Sequence, residues 1–205
     1  MSLFPLPLMS LFPLSSSRCL LRFLHPVTAG RIARLFGTLG LALFALGCHG
    51  GKVPAVTWGT LRVVPASSTI YLAGQTDAKA LAAAKQAGVV AVINLRAPSE
   101  TKGSSFDEAA VAAKAGLTYV TAMVDKPTKG SFDAGQFEGV SKAIAKFGSK
   151  KVLVYCSSGN RAAAWYASYL VGHQGASPKD AFAKAQTLGL LKVGGKRALG
   201  AYLGI

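Results

Sequence analysis

The chain has 205 residues, with 23 basic and eight acidic side chains and a formal net charge of +15. That length gives one domain of ordinary size, with room for a targeting segment. Three cysteines and three histidines argue against a metal cluster or a redox thiol pair, and no cofactor is expected. The positive field favours anionic substrates or an anionic membrane surface, but the lysines are dispersed and carry no aromatic-studded basic stripe, which argues against nucleic acid and makes a solvated lysine-rich surface the preferred reading.

Residues 1–47 hold four arginines and no acid, and all eight acidic residues follow Thr76. This composition reads as an export signal rather than core, and without it the net charge is +11. MSLFPL occurs at 1–6 and again at 9–14, which reads either as a start placed too far upstream or as a dispensable extension before the signal proper. In RIARLFGTLGLALFALGC, Arg31 and Arg34 form a charged start and Leu35 to Leu46 an apolar run too short to span a bilayer, which takes about 20 residues. The run ends in Ala45, Leu46, Gly47 and Cys48, which resembles the lipobox of bacterial lipoproteins. That resemblance implies lipidation at Cys48, a membrane-anchored lipoprotein in a bacterial envelope, and a domain facing the periplasm. His49 stands where inner-membrane retention would call for aspartate, which favours the outer membrane. A cleaved signal peptide or an uncleaved anchor are the alternatives.

Residues 48–67 are rich in Gly, Pro and Thr or Ser and read as a lipidated tether, with the domain proper at 68–205. A strand is expected at Ser68 to Leu72, then a helix from Asp77 to Ala87 capped by Thr76 and stopped by Gly88. VVAVINL, Val89 to Leu95, has the continuous β-branched character of a strand buried on both faces. Ser105 and Glu108 have capping-box spacing for a second helix, which ends at Gly116. Leu117 to Val124 reads as a strand, and Ser131 opens a helix with Phe137, Val140, Ile144 and Phe147 on one stripe. Lys151 to Tyr155 is the next strand and Arg161 to Val171 a nearly all-apolar helix, with Trp165 in the core. A last helix starts at Ser177 and Pro178, with His173 just before it as a surface residue. The alternation predicts a single α/β domain with a mostly parallel sheet and helices on both faces.

In such sheets ligands bind at the carboxyl ends of strands, which is where Cys156 falls. After an export signal is removed and Cys48 lipidated, Cys156 is the sole free thiol. The loop Ser157, Ser158, Gly159, Asn160 is small enough to turn its amides inward as a nest, and the following helix adds positive partial charge at its start. Arg161 can offer a two-pronged donor to a tetrahedral oxyanion, and the same field favours a thiolate. Cys156 is therefore the candidate nucleophile, with Ser157, Ser158, Gly159, Asn160 and Arg161 as the substrate-binding loop. A buried packing thiol is the alternative.

YCSSGNRAAAW, with AGQTDAKALAAAKQAGVVAVINLRAPSE at 73–100, resembles the bacterial phosphatase-like domain related to dual-specificity and tyrosine phosphatases, the beta-lactamase-hydrolase-like phosphatase group. The resemblance covers roughly residues 68–190. It implies the cysteine-phosphatase fold and a phosphatase in which Cys156 attacks a phosphate ester to form a phosphocysteine while Arg161 binds the equatorial oxygens. Four residues separate Cys156 from Arg161, where tyrosine phosphatases have five, Tyr155 stands in place of the usual His, and Ala162 in place of a hydroxyl residue. The shorter loop is closer to rhodanese-type sulfurtransferases, which carry a cysteine persulfide. A non-catalytic anion-binding module is the third reading. A phosphatase also needs an acid for the leaving group, and Asp125, after the third strand, is the candidate. Arg96 and Glu100 either line the pocket or form an ion pair fixing their loop, and the second is preferred.

Overall fold

The computed structural model describes residues 53–102, 106–127 and 130–205. The expected export signal, Cys48 and Ser105 lie outside the described residues. Six strands and seven helices follow in the order β1 (Val56–Trp58), β2 (Leu61–Pro65), β3 (Ile70–Ala73), α1 (Ala78–Gln86), β4 (Val89–Asn94), α2 (Pro98–Thr101), α3 (Glu108–Lys114), β5 (Thr118–Thr121), α4 (Ala134–Ala145), β6 (Lys151–Tyr155), α5 (Asn160–Gln174), α6 (Pro178–Thr187) and α7 (Val193–Leu203). Together they form one α/β domain. Among the described residues no helix is long and apolar enough to cross a membrane.

The strands lie in the order β1-β2-β3-β6-β4-β5. β3, β6, β4 and β5 run parallel, and β1 and β2 add an antiparallel edge. Strand residues alternate between two cores. Val152, Val154 and Cys156 face the core built by α4, α5, α6 and α7, while Leu153 and Tyr155 face the one built by α1 and α3. This is the expected mostly parallel sheet covered on both faces.

Several boundaries differ from expectation. The segment read as a tether carries the β1–β2 hairpin: Trp58 pairs with Leu61 across a two-residue turn in which Gly59 takes φ 62°. Val53 N–H also donates to the Thr187 carbonyl, so the domain begins well before residue 68. Strands of three and five residues beside a Gly-Thr turn leave little alternation to read, and the Gly and Pro content masks them. Helix α1 is capped by Asp77, whose side chain accepts from Ala80 N–H, and not by Thr76, which is buried. Asp107 caps α3 and Asp133 caps α4, displacing the expected starts at Ser105 and Ser131. Ser177 caps α6 as expected. The two-turn-distant α7 is an additional helix, opened by Lys192 and closed by Gly204 at φ 71°.

Candidate active site

β6 is flanked by β3 and β4, so the loop that follows it emerges at the middle of the sheet's carboxyl end. The strand is fixed there on both edges: Leu95 N–H donates to the Tyr155 carbonyl at 2.9 Å, and Cys156 N–H points to the Ala73 carbonyl at 3.4 Å. Tyr155 also anchors the strand from the α1–α3 side. Its hydroxyl donates to Glu108 Oε2 at 2.7 Å, and the same oxygen takes Arg96 Nη2 and the Tyr119 hydroxyl. Burial, with the Glu108 carboxylate beside it, pushes the Tyr155 phenol well above its ordinary range.

Cys156 is buried, and its sulfur sits 3.1 Å from the Gly159 N–H. Gly159 takes φ 85° and starts α5 without a side-chain cap, so the first-turn amides of that helix remain available to an anion in the loop. A Cβ at Gly159 would stand 2.9 Å from Leu190, so both conformation and space demand glycine there. Ser157, Ser158, Asn160 and Arg161 line a cavity of about 200 Å³, closed on its other sides by Lys126, Pro127, Phe132 and Gly195. The loop read from sequence is thus brought together around one cleft.

Arg161 is buried, and its guanidinium is held on three sides. Nη1 and Nη2 donate to the two oxygens of Glu100 at 2.7 and 2.8 Å, Nη1 also to the Val124 carbonyl at 2.8 Å, and Nη2 to Ser157 Oγ at 2.9 Å. Ser157 in turn donates to Glu100 Oε1 at 2.9 Å. The bidentate Arg161 pairing holds the Glu100 carboxyl down at about 2, against the opposing effect of burial, with Ala97 N–H and Ser157 assisting. Burial alone would lower the Arg161 pKa, but the Glu100 hydrogen bonds and the nearby Cys156 sulfur raise it instead.

Three of the polar residues therefore part company with expectation. Arg96 does not pair with Glu100; it is sealed against Glu108, while Glu100 closes on Arg161 across 61 residues of sequence. Asp125 is exposed, its carboxylate takes Gln136 Nε2 at 2.8 Å, and it borders a neighbouring cavity instead of the one over the loop. Trp165 is in the core with its indole N–H on Ser141 Oγ, and His173 lies at the surface at 3.2 Å from Glu138. Among the described residues, no three His, Cys, Asp or Glu side chains gather as a metal site.

The family model for the phosphatase-like domain of beta-lactamase hydrolase-like proteins matches residues 60–172. The chain belongs to that family. Solved structures agree on the fold. A DUF442 protein from Shewanella putrefaciens CN-32, described as a candidate phosphatase, is 26% identical at a TM-score of 0.52, covering 68% of this chain and 89% of that one. P. aeruginosa TpbA, solved as a cysteine-to-serine variant in complex with pTyr, is 19% identical at a TM-score of 0.60, over 76% of this chain and 90% of that one. A candidate phosphatase from Neisseria meningitidis Z2491 is 18% identical at 0.52, over 66% and 94%. No curated protein matches the chain. The match begins inside the β1–β2 hairpin and ends in α5, so α6 and α7 lie beyond it.

Proposed function

We propose that the protein is a cysteine-dependent phosphatase that hydrolyses a phosphate ester through a phosphocysteine. The observation that carries the reading is the cleft lined by Ser157, Ser158, Asn160 and Arg161, with Cys156 buried in the same loop, its sulfur 3.1 Å from the Gly159 nitrogen, and the uncapped start of α5 beside it. Family membership and the TpbA complex with pTyr support a phosphorylated, anionic substrate.

In this reading the loop amides and Arg161 hold the phosphoryl oxygens where charge develops. The Cys156 thiolate attacks phosphorus, an S–P bond forms, and the P–O bond to the ester breaks with its electron pair on the leaving oxygen. Water then attacks phosphorus, the S–P bond breaks, and inorganic phosphate leaves with the thiolate restored. Glu100 is a positioning residue: it fixes the plane of the Arg161 guanidinium and shares Ser157 with it. Asp125 is the proposed acid for the leaving oxygen. It adjoins Lys126 and Pro127, which line the cleft, and it serves in that role only when its bond to Gln136 opens.

The same proposal assigns residues 1–47 to export and Cys48 to lipid attachment in a bacterial envelope. Metabolic labelling with a radioactive fatty acid would put label on wild type and none on Cys48→Ser; equal labelling would remove the anchor.

The deciding assay measures phosphate release from para-nitrophenyl phosphate, and thiocyanate release from thiosulfate and cyanide, for wild type, Cys156→Ser and Asp125→Asn. Phosphate release should vanish in Cys156→Ser and fall about 10²- to 10⁴-fold in Asp125→Asn if that carboxyl is the acid. Phosphate release that survives Cys156→Ser, or cysteine-dependent thiocyanate in its place, refutes the proposal.

A further inference from the structure

The loop's closing residue is held by a part of the chain that lies outside the family match. Asn160 Oδ1 accepts from the Lys192 N–H at 2.6 Å, the bond that starts α7. Its Nδ2 reaches back to Ser158 Oγ at 3.4 Å. Lys192 offers α7 no side-chain cap, so the side chain that satisfies the helix start comes from the anion loop 32 residues earlier. Just beyond, Gly195 is buried and forms a wall of the cleft. A Cβ there would stand 2.7 Å from Asn160 Oδ1, closer than real side chains come. Its neighbour Gly194 has nothing within 4 Å of the same position. Leu190 completes the contact by packing where a Cβ at Gly159 would go.

We infer that Leu190, Lys192 and Gly195 are part of the active site, and that Asn160 is a positioning residue whose side chain transmits the place of α7 to the substrate loop. The inference rests on the phosphatase reading for its substrate and on the contacts above for its geometry. A shift of α7 toward the loop pushes on the one side chain that links Ser158 to Lys192. Alanine is a better helix former than glycine, so at residue 195 it favours α7 while crowding Asn160. Stability and function are thereby separated.

The two adjacent glycines supply the test. Full-length wild type, Gly194→Ala, Gly195→Ala, Asn160→Ala and the Asn160→Ala/Gly195→Ala double variant are compared for kcat and KM on para-nitrophenyl phosphate, for the Kd of tungstate by calorimetry, and for thermal midpoint. Gly194→Ala should match wild type in kcat, KM and tungstate Kd and melt no lower than wild type. Gly195→Ala should melt close to Gly194→Ala yet lose about tenfold in kcat/KM, within the roughly 10²-fold range of ångström-scale misplacement. Adding Gly195→Ala to Asn160→Ala should cost nothing further, because the crowded atom is gone. Equal behaviour of the two glycine variants, or a Gly195→Ala loss of the same size in both backgrounds, overturns the inference. If Gly195→Ala does not fold, Asn160→Ala alone decides: unchanged kcat/KM overturns it. If wild type shows no turnover, the phosphatase reading fails while tungstate affinity, expected to follow the same pattern, still judges the coupling. Absence of tungstate binding to wild type overturns both.

Discussion

Arg96 just follows β4, and Arg161 lies in the first turn of α5 after the neighbouring β6; each is buried and paired with a glutamate, yet they sit in opposite surroundings. The Arg96–Glu108 pair is closed to water, with side chains 1% and 4% exposed, and is roofed by Tyr155 and Tyr119. The Arg161–Glu100 pair shares its edge with exposed Ser157 and opens on the cleft, Glu100 being 19% exposed. The sealed pair can only hold structure, because an incoming anion cannot reach it. The open pair holds its arginine in the wall of the cleft. A buried ion pair therefore says little about function until the path from its donors to solvent is traced.

The largest expected effect bears on the sealed pair. Glu108→Ala leaves Arg96 charged and unpaired, which costs about 3–5 kcal/mol of stability and should appear as a large fall in the urea midpoint. Turnover per folded molecule should fall far less. If the midpoint holds, the sealed pair is not structural and the contrast collapses. Arg161→Lys reverses the emphasis: loss of the fork should lower kcat/KM about 10²-fold, equivalent to about 2.7 kcal/mol. Its midpoint should move less than that of Glu108→Ala.

The smallest effect is in acid. Glu100 has its carboxyl at about 2 in the fold, against an ordinary 4.5. A depressed folded pKa gives stability that is fully present above about 4.5 and is lost as pH falls toward about 2. Thermal midpoints of wild type and Glu100→Gln should therefore differ at neutral pH and converge across that window. Parallel profiles would show that the open pair adds no pH-dependent stability.

The alternation of apolar strands and amphipathic helices made the parallel sheet legible, and the strand, Cys, small-residue loop and Arg marked the loop whose Ser157, Ser158, Asn160 and Arg161 line a cleft. What escaped reading shares a physical cause: its signals are long-range or are carried by breakers. Glu100 and Arg161 meet across 61 residues, and no local period encodes such a contact. Glu100 looked like a loop acid, and only folding decides which arginine it finds. Helix α7 contains Gly194, Gly195 and Gly200, which argue against a helix on propensity, and tertiary packing of Ala198 and Leu199 overrides that. Asp125 lies four residues past the end of β5 and not directly after a strand, and its carboxylate accepts from Gln136 Nε2 on α4. Tyr155 was visible only as a departure from His; its purpose depends on Glu108 lying beneath the sheet.

The strand order also sets a timetable. β4 and β3 do not pair with each other and are joined in the sheet only through β6, which pairs with both. The last strand made is thus the keystone of the sheet, and the contacts that close it span most of the domain's sequence. Such closure is slow, since long-range pairing must first meet the entropy of bringing distant segments together. A growing or partly folded chain therefore carries Cys156 without its cradle, and the thiol acquires its partners only in the final act of folding.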